Sequence, residues 1–375
     1  MSVPLGERRG MLRGVVDLLS GRLPRFVFGA SVGPMVPVFH FHDERHADLE
    51  PKFHYLVDNG YRTLNADELA DVAAGRRKPG DREIALCFDD AWSTVWTDAS
   101  PLLTRAGLTA IVYAIPGRIS DADKCRPTGV DAADDPAASP FMTWPELRAM
   151  SSAGSIDVQS HTWSHAMMFT SAEAVDFVQP EFERQPLLNR PVLSSKPRLR
   201  LVEPTELGAP LYEQRSRMSD GRQVAMPDEV HQACVATVRD GGGPAFFARP
   251  DWRATLHVLV VRHRGRGRVE TDDEHRRAIE DELDRARTEL NGRMGTQAVR
   301  HVCLPWGVSG QITAAALARL GFASAVANRW RGTFAVKPGD DPFWLKRLPS
   351  RYIFRLPGRK RRSVQAPALR SSTPQ

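Results

Sequence analysis

Cysteine is scarce in this chain, and no two cysteines are close in sequence. The four in 375 residues (Cys87, Cys125, Cys234 and Cys303) form no CxxC pair, which argues against both a zinc knuckle and a disulfide framework. Long apolar runs are missing too: none approaches the roughly 20 residues needed to cross a bilayer. The opening stretch, MSVPLGERRGMLRGVVDLLSGRLP, lacks a long apolar core and a clear small-residue cleavage site, so a cytoplasmic protein is the expectation. No repeat of fixed period is visible. The net charge of +6 comes mostly from dispersed arginine. Without a helix-turn-helix, an RNA-binding signature or interleaved aromatic and basic residues, nucleic acid is not an expected partner.

What is present is a globular composition, 42% hydrophobic, in a chain long enough for one large α/β barrel or two ordinary domains. Met11, Leu12, Val15, Val16, Leu18 and Leu19 recur at helical spacing among Arg8, Arg9, Arg13 and Arg22. That stretch, within an N-terminal extension at 1–31, suits packing on the domain or peripheral contact with a membrane surface. The Pro- and Ser-rich segment 351–375, carrying GRKRR, reads as a solvated, disordered tail.

Between them the chain alternates. MVPVFHFH is strand-like, and DLEPKFHYLVDNGYRTLNADELADVAAG reads as helix, turn, short extended step and capped helix. EIALCF is a buried strand, and SPLLTRAGLTAIVYAI follows as helix, glycine stop and strand. In MTWPELRAMSSAGSIDVQSHTWSH, Thr143 and Glu146 form an expected capping box, and the strand SIDVQ runs into two histidines. From about Pro180 to Gly267 proline, arginine and glycine dominate, which reads as an insertion with a helix in DEVHQACVATVRD, a GGG break and a strand or helix in RATLHVLVVRH. Order resumes with the helical DDEHRRAIEDELDRARTELNGRMG, then strand, loop, helix and strand in AVRHVCLPWGVSGQITAAALARLGFASAVA. The alternation predicts a barrel or an open doubly wound sheet.

Three strand exits carry the candidate chemistry. Asp89 and Asp90 follow EIALCF; His161 and His165 follow SIDVQ; Pro305, Trp306 and Gly307 follow HVCL. Taken singly each has an ordinary explanation: paired aspartates cap helices or shape turns, HxxxH arises by chance, and PWG is a turn signal. At a spacing of four the histidines would share a helical face roughly 6 Å apart, a separation suited to one metal ion. In α/β barrels catalytic groups sit at the C-terminal ends of strands, so the three exits are expected at one mouth.

The stretches FDDAWSTVWTDASPLLTRAGLTAIVYAI, MTWPELRAMSSAGSIDVQSHTWSH and AVRHVCLPWGVSGQITAAALARLGFASAVA resemble, in order and spacing, the polysaccharide deacetylases, whose members share the NodB homology domain. The likeness covers about residues 32–175 and 275–348. It implies a distorted, incomplete (β/α) barrel with a large insertion: deacetylase segments at 32–179 and 268–350 around an insertion at 180–267, a lid or specificity element. It implies Asp90, His161 and His165 as ligands of a divalent metal ion, zinc or cobalt, and Asp89 as the base that takes a proton from the attacking water. It implies the backbone N–H of Trp306 as an oxyanion donor, and a carbohydrate or glycoconjugate as substrate.

Two departures from the family pattern stand out. No arginine shortly precedes the proline of HVCLPWG, and the late segment DPFWLKRLPSRYIF lacks the histidine that would protonate the leaving amine. His42, on the first strand, is a candidate for that acid, beside a residue of the insertion or Asp89 acting twice. Trp92, Trp96, Trp163 and Trp306 flank the motifs, and one or two of them could stack on sugar rings. A sugar-binding or regulatory relative that keeps the barrel without turnover is the alternative to an enzyme.

Overall fold

The computed structural model describes residues 23–129, 139–194, 199–263, 266–327 and 333–359. The amphipathic stretch before residue 23 and the tail from 360 onwards lie outside the described residues. The first strand, β1 (Val38–Phe41), leads into helix α1 (His46–Asp58). A short β2 (Arg62–Thr63) precedes α2 (Ala66–Ala73), whose N-terminus is fixed by a full capping box between Asn65 and Glu68. Every residue of β3 (Glu83–Asp90) is buried, as expected of a strand covered on both faces. Helix α3 (Ser100–Ala106) stops at Gly107, whose φ of 62° few other residues adopt cheaply, and β4 (Ala110–Ala114) follows. Helix α4 (Trp144–Ser152) then feeds β5 (Ile156–Ser160). Of the box expected at α4, the Glu146 carboxylate accepts the Thr143 N–H at 2.8 Å.

The chain divides into two compact units: Met1–Ala114 with Ile119–Gln159 and Ala323–Gln375, and Ile115–Arg118 with Ser160–Phe322. The second unit begins earlier and ends later than the insertion read at 180–267. In it β6 (Met167–Phe177) and β9 (Pro210–Ser216) form an antiparallel pair with irregular register. Two smaller antiparallel pairs are β7 (Val192–Ser194) with β8 (Arg200–Leu201) and β10 (Val224–Ala225) with β11 (Arg268–Val269). Helices α5 (Asp228–Asp240) and α6 (Trp252–His263) are the two elements the insertion's sequence suggested. Phe177, Tyr212, Val230, Cys234, Phe246 and Leu256 join in a core of their own, so this segment is a packed body instead of a loose loop. The long helix α7 (Asp272–Met294) starts at a capping box of Thr271 and Glu274, and β12 (His301–Cys303) and helix α8 (Gln311–Arg319) complete the unit.

Returning to the first unit, β13 (Ser324–Val326) and β14 (Leu348–Pro349) are its last strands. β14 lies parallel to β1, β1 to β3, and β3 to β4, with Asp89 opposite Tyr113. Strands β14, β1, β3, β4 and β5 run side by side in a sheet with helices, the half-barrel that the family resemblance implies. Residues 351–359, assigned above to the tail, are tied down. A 3-10 turn spans Ser350–Arg355, Tyr55 Oη donates to the Leu356 carbonyl, and both Tyr61 and Arg82 donate to the Pro357 carbonyl. No helix among the described residues is long and apolar enough to cross a membrane.

Two ionic features of the frame lead to measurable expectations. Glu146 is fully buried, and Arg126 answers it with guanidinium bonds of 2.6 and 2.8 Å and a backbone N–H. Arg126→Ala strands that carboxylate, so chemical denaturation should register a loss of about 3–5 kcal/mol. At Glu206 burial pushes the carboxyl up, but hydrogen bonds from His231, the Glu203 N–H and Arg200 outweigh it and hold the group at about 2 against an ordinary 4.5. A carboxyl depressed in the folded state stabilises above its unfolded pKa and loses that contribution as pH falls through its folded one. Unfolding midpoints should therefore drop between pH 4.5 and about 2, and Glu206→Gln should flatten that slope.

Candidate active site

In the first unit, the last two residues of β3 are treated differently by their surroundings. Asp89, 3% exposed, is held by both arms of the Arg347 guanidinium at 2.6 and 2.7 Å. Such a fork fixes the carboxylate plane as well as its charge. His42 Nε2 stands 3.7 Å from the same carboxylate on a half-exposed ring. Asp90, equally buried, accepts the Trp92 indole N–H at 2.9 Å. His40, two residues before His42, stacks edge-on against it at 5.4 Å. Burial, and then the nearby Arg347 cation, lowers His40 to about 3. His40 is thus held neutral at neutral pH.

In the second unit, the histidine segment is not helical. His161 and His165 lie in an irregular turn after β5, in which Thr162 and His165 take left-handed φ values of 64° and 54°. The turn, and not a shared helical face, brings the rings to 4.9 Å between centroids. The expected pairing is present by a different local route. His161 Nδ1 donates to the Cys303 carbonyl at 2.6 Å, which sets the tautomer whose Nε2 lone pair can bind a metal. The indole of Trp306, in the 3-10 turn Pro305–Gly307 after β12, lies 4.2 Å from the His165 ring. Its Nε1 donates to Asn189 Oδ1 at 3.2 Å. Two imidazoles this close are donors that a borderline divalent ion accepts, so the histidine pair fits such an ion.

Backbone strain marks the same places. Among the described residues six non-glycines have positive φ, and five of them (Asp90, Ala91, Thr162, His165 and Trp306) sit at the three strand exits. Each costs about 1–3 kcal/mol and persists where the surroundings over-determine it, as at functional sites.

The tryptophans split by role. Trp144 is core at 2% exposure, and Trp96 donates to the Arg126 carbonyl. Trp92 stacks on Phe141 at 4.8 Å, and Trp163 carries the Arg285 guanidinium 3.6 Å above its ring. One face of each is therefore already covered. Sequence reasoning missed Arg347, the partner of Asp89. LKRLPS carries the residue but nothing local that ties it to Asp89.

Comparison with known proteins agrees with these motifs. Residues 76–199 match the family described as polysaccharide deacetylase. Over 126 residues, 33% of this chain, the sequence is 27% identical to poly-beta-1,6-N-acetyl-D-glucosamine N-deacetylase of Escherichia coli (strain K12); the match spans 18% of that relative's own length. The fold is similar to the BpsB deacetylase domain from Bordetella bronchiseptica, with 18% identity, a TM-score of 0.51, and coverage of 84% of this chain and 95% of that one. It is also similar to a de-N-acetylase from Aggregatibacter actinomycetemcomitans, with 14% identity, a TM-score of 0.50, and coverage of 84% and 94%. Residues 76–199 are thus similar to the polysaccharide deacetylase family, and the half-barrel is the fold of those deacetylase domains.

The Asp89 pair leads to a stability expectation. Arg347→Ala leaves a buried carboxylate uncompensated and should lower the unfolding free energy by about 3–5 kcal/mol. Adding Asp89→Asn should recover much of that loss in the same denaturation assay, because the stranded charge is gone.

Proposed function

We propose that this chain is a metal-dependent hydrolase that removes an N-acetyl or other acyl group from a sugar, oligosaccharide or glycoconjugate. The observation that carries the reading is the unequal treatment of the paired carboxylates. Asp89 is oriented by Arg347 and flanked by His42, while Asp90 beside it is a carboxylate suited to a cation. Two bare aspartates side by side would repel each other; a guanidinium on one and a divalent ion on the other relieve that repulsion.

In this reading Asp90, His161 and His165 would hold one zinc or cobalt ion, which would supply Lewis acidity to the water and to the acyl carbonyl. The chain's own groups do the rest. Asp89 takes a proton from the attacking water at one carboxylate oxygen, with Arg347 keeping its plane fixed while charge shifts. The backbone N–H of Trp306 donates to the oxyanion that develops on the carbonyl oxygen. His42, half-exposed and 3.7 Å from Asp89, carries the proton on to the departing amine. The late segment that lacks a histidine contributes the arginine of the base instead of an acid. The E. coli relative is named for N-deacetylation of poly-beta-1,6-N-acetyl-D-glucosamine, so N-acetylglucosamine oligomers are the first substrates to try.

Purified protein with zinc or cobalt should release acetate from such oligomers. Asp89→Asn should lower the rate by about 10²–10⁴-fold while metal analysis still finds the ion bound, and His161→Ala should lose the ion itself. Saccharide binding without acetate release under all metal conditions would overturn the hydrolase reading in favour of a binding protein.

A further inference from the structure

The segment HTWSH is held from outside by one helix. Glu282, in the middle of α7, is 5% exposed, and both of its carboxylate oxygens are used on the same residue: Oε2 accepts the Ser164 N–H at 2.9 Å and Oε1 accepts the Ser164 hydroxyl at 2.7 Å. Its backbone carbonyl accepts the Trp163 N–H at 3.0 Å. One turn further along α7, Arg285 lies over the Trp163 ring. On the other side of the segment the Gly117 N–H donates to the Trp163 carbonyl at 2.9 Å, and a Cβ at Gly117 would come within 2.6 Å of that oxygen.

A carboxylate in such a place is expensive. Burial alone would favour a leucine or a glutamine of similar volume on the inner face of α7. The groups it binds are no ordinary loop atoms, because Ser164 and Trp163 lie between the two histidines, in a turn with strained backbone at Thr162 and His165. Without external bonds that turn would relax towards ordinary φ values and the imidazoles would move apart.

We infer that Glu282 is the positioning residue of the histidine pair: through its two bonds to Ser164 it holds the strained turn in the form that points both imidazoles at one cation. The inference rests on the metal reading proposed above. Glu282 touches neither histidine; it acts through Ser164, and Arg285 on Trp163 is a secondary brace.

The test uses the full chain and zinc or cobalt alone. Zinc affinity is measured by competition with a chromophoric chelator, the cobalt form by its visible absorption bands, and the metal-free protein by thermal unfolding. Glu282→Gln and Ser164→Ala should each weaken zinc binding by about 10–100-fold and alter the cobalt bands, with the metal-free unfolding temperature close to the parent's. The double variant should lose little more than Glu282→Gln alone, since the hydroxyl bond that Ser164→Ala removes is one of the two that Glu282 makes. Glu282→Asp, one methylene shorter, should fall between the parent and Glu282→Gln. Should Glu282→Gln fail to fold, Ser164→Ala alone carries the test. Unchanged zinc affinity in Ser164→Ala, or a loss that merely follows a fall in metal-free stability, would overturn the inference. If the parent binds zinc stoichiometrically and the variants bind it equally well, only the positioning role falls; if the parent binds no zinc, the metal reading falls with it.

Discussion

A carboxylate can be buried only where fixed donors replace the water it loses, and that constraint organises the polar interior of this protein. Asp89 has the fork of Arg347, Glu146 has Arg126, Glu282 has Ser164, and Glu270 has Arg217 at 2.8 Å. In each case the partner comes from a distant part of the sequence, so every such pair ties two segments of chain together. Where the pair sits at the end of β3, the same tie also orients a group suited to accept a proton.

The fold was largely legible because its local signals agree with one another. The capping boxes of α2 and α7, the glycine after α3 and the wholly apolar run before Asp89 each mark a boundary that the structure keeps. The second unit was less legible. Helix α5 was recognisable, and the α6 stretch as strand or helix, but the antiparallel pairing of β6 with β9 was not, because its register is irregular and its residues alternate poorly. What periodicity does not reveal is that these elements share a core with one another.

At the site, residue types were readable and conformations were not. The spacing of His161 and His165 suggested a helical face, whereas a turn with left-handed residues achieves the approach, and a β-branched threonine is rarely found at such a φ. Arg347 was hidden for another reason: a partner 258 positions away leaves no mark in local pattern, and only the closing of β14 against β1 brings it within reach. Trp306 shows the same limit, since its anchor Asn189 belongs to the stretch with the fewest recognisable signals.

The pairing of β1 with β14 places Phe39 opposite Leu348, and everything that makes the second unit is encoded between them. During translation the first strand must therefore wait for its neighbour until almost the whole barrel has left the ribosome. At about 5–20 residues per second that interval is on the order of fifteen seconds to a minute. Throughout it Asp89 has no guanidinium, and an edge of the nascent sheet stands open. The nested segment, whose apolar cluster closes on itself, can mature meanwhile, so the order of synthesis makes Asp89 one of the last residues to find its setting.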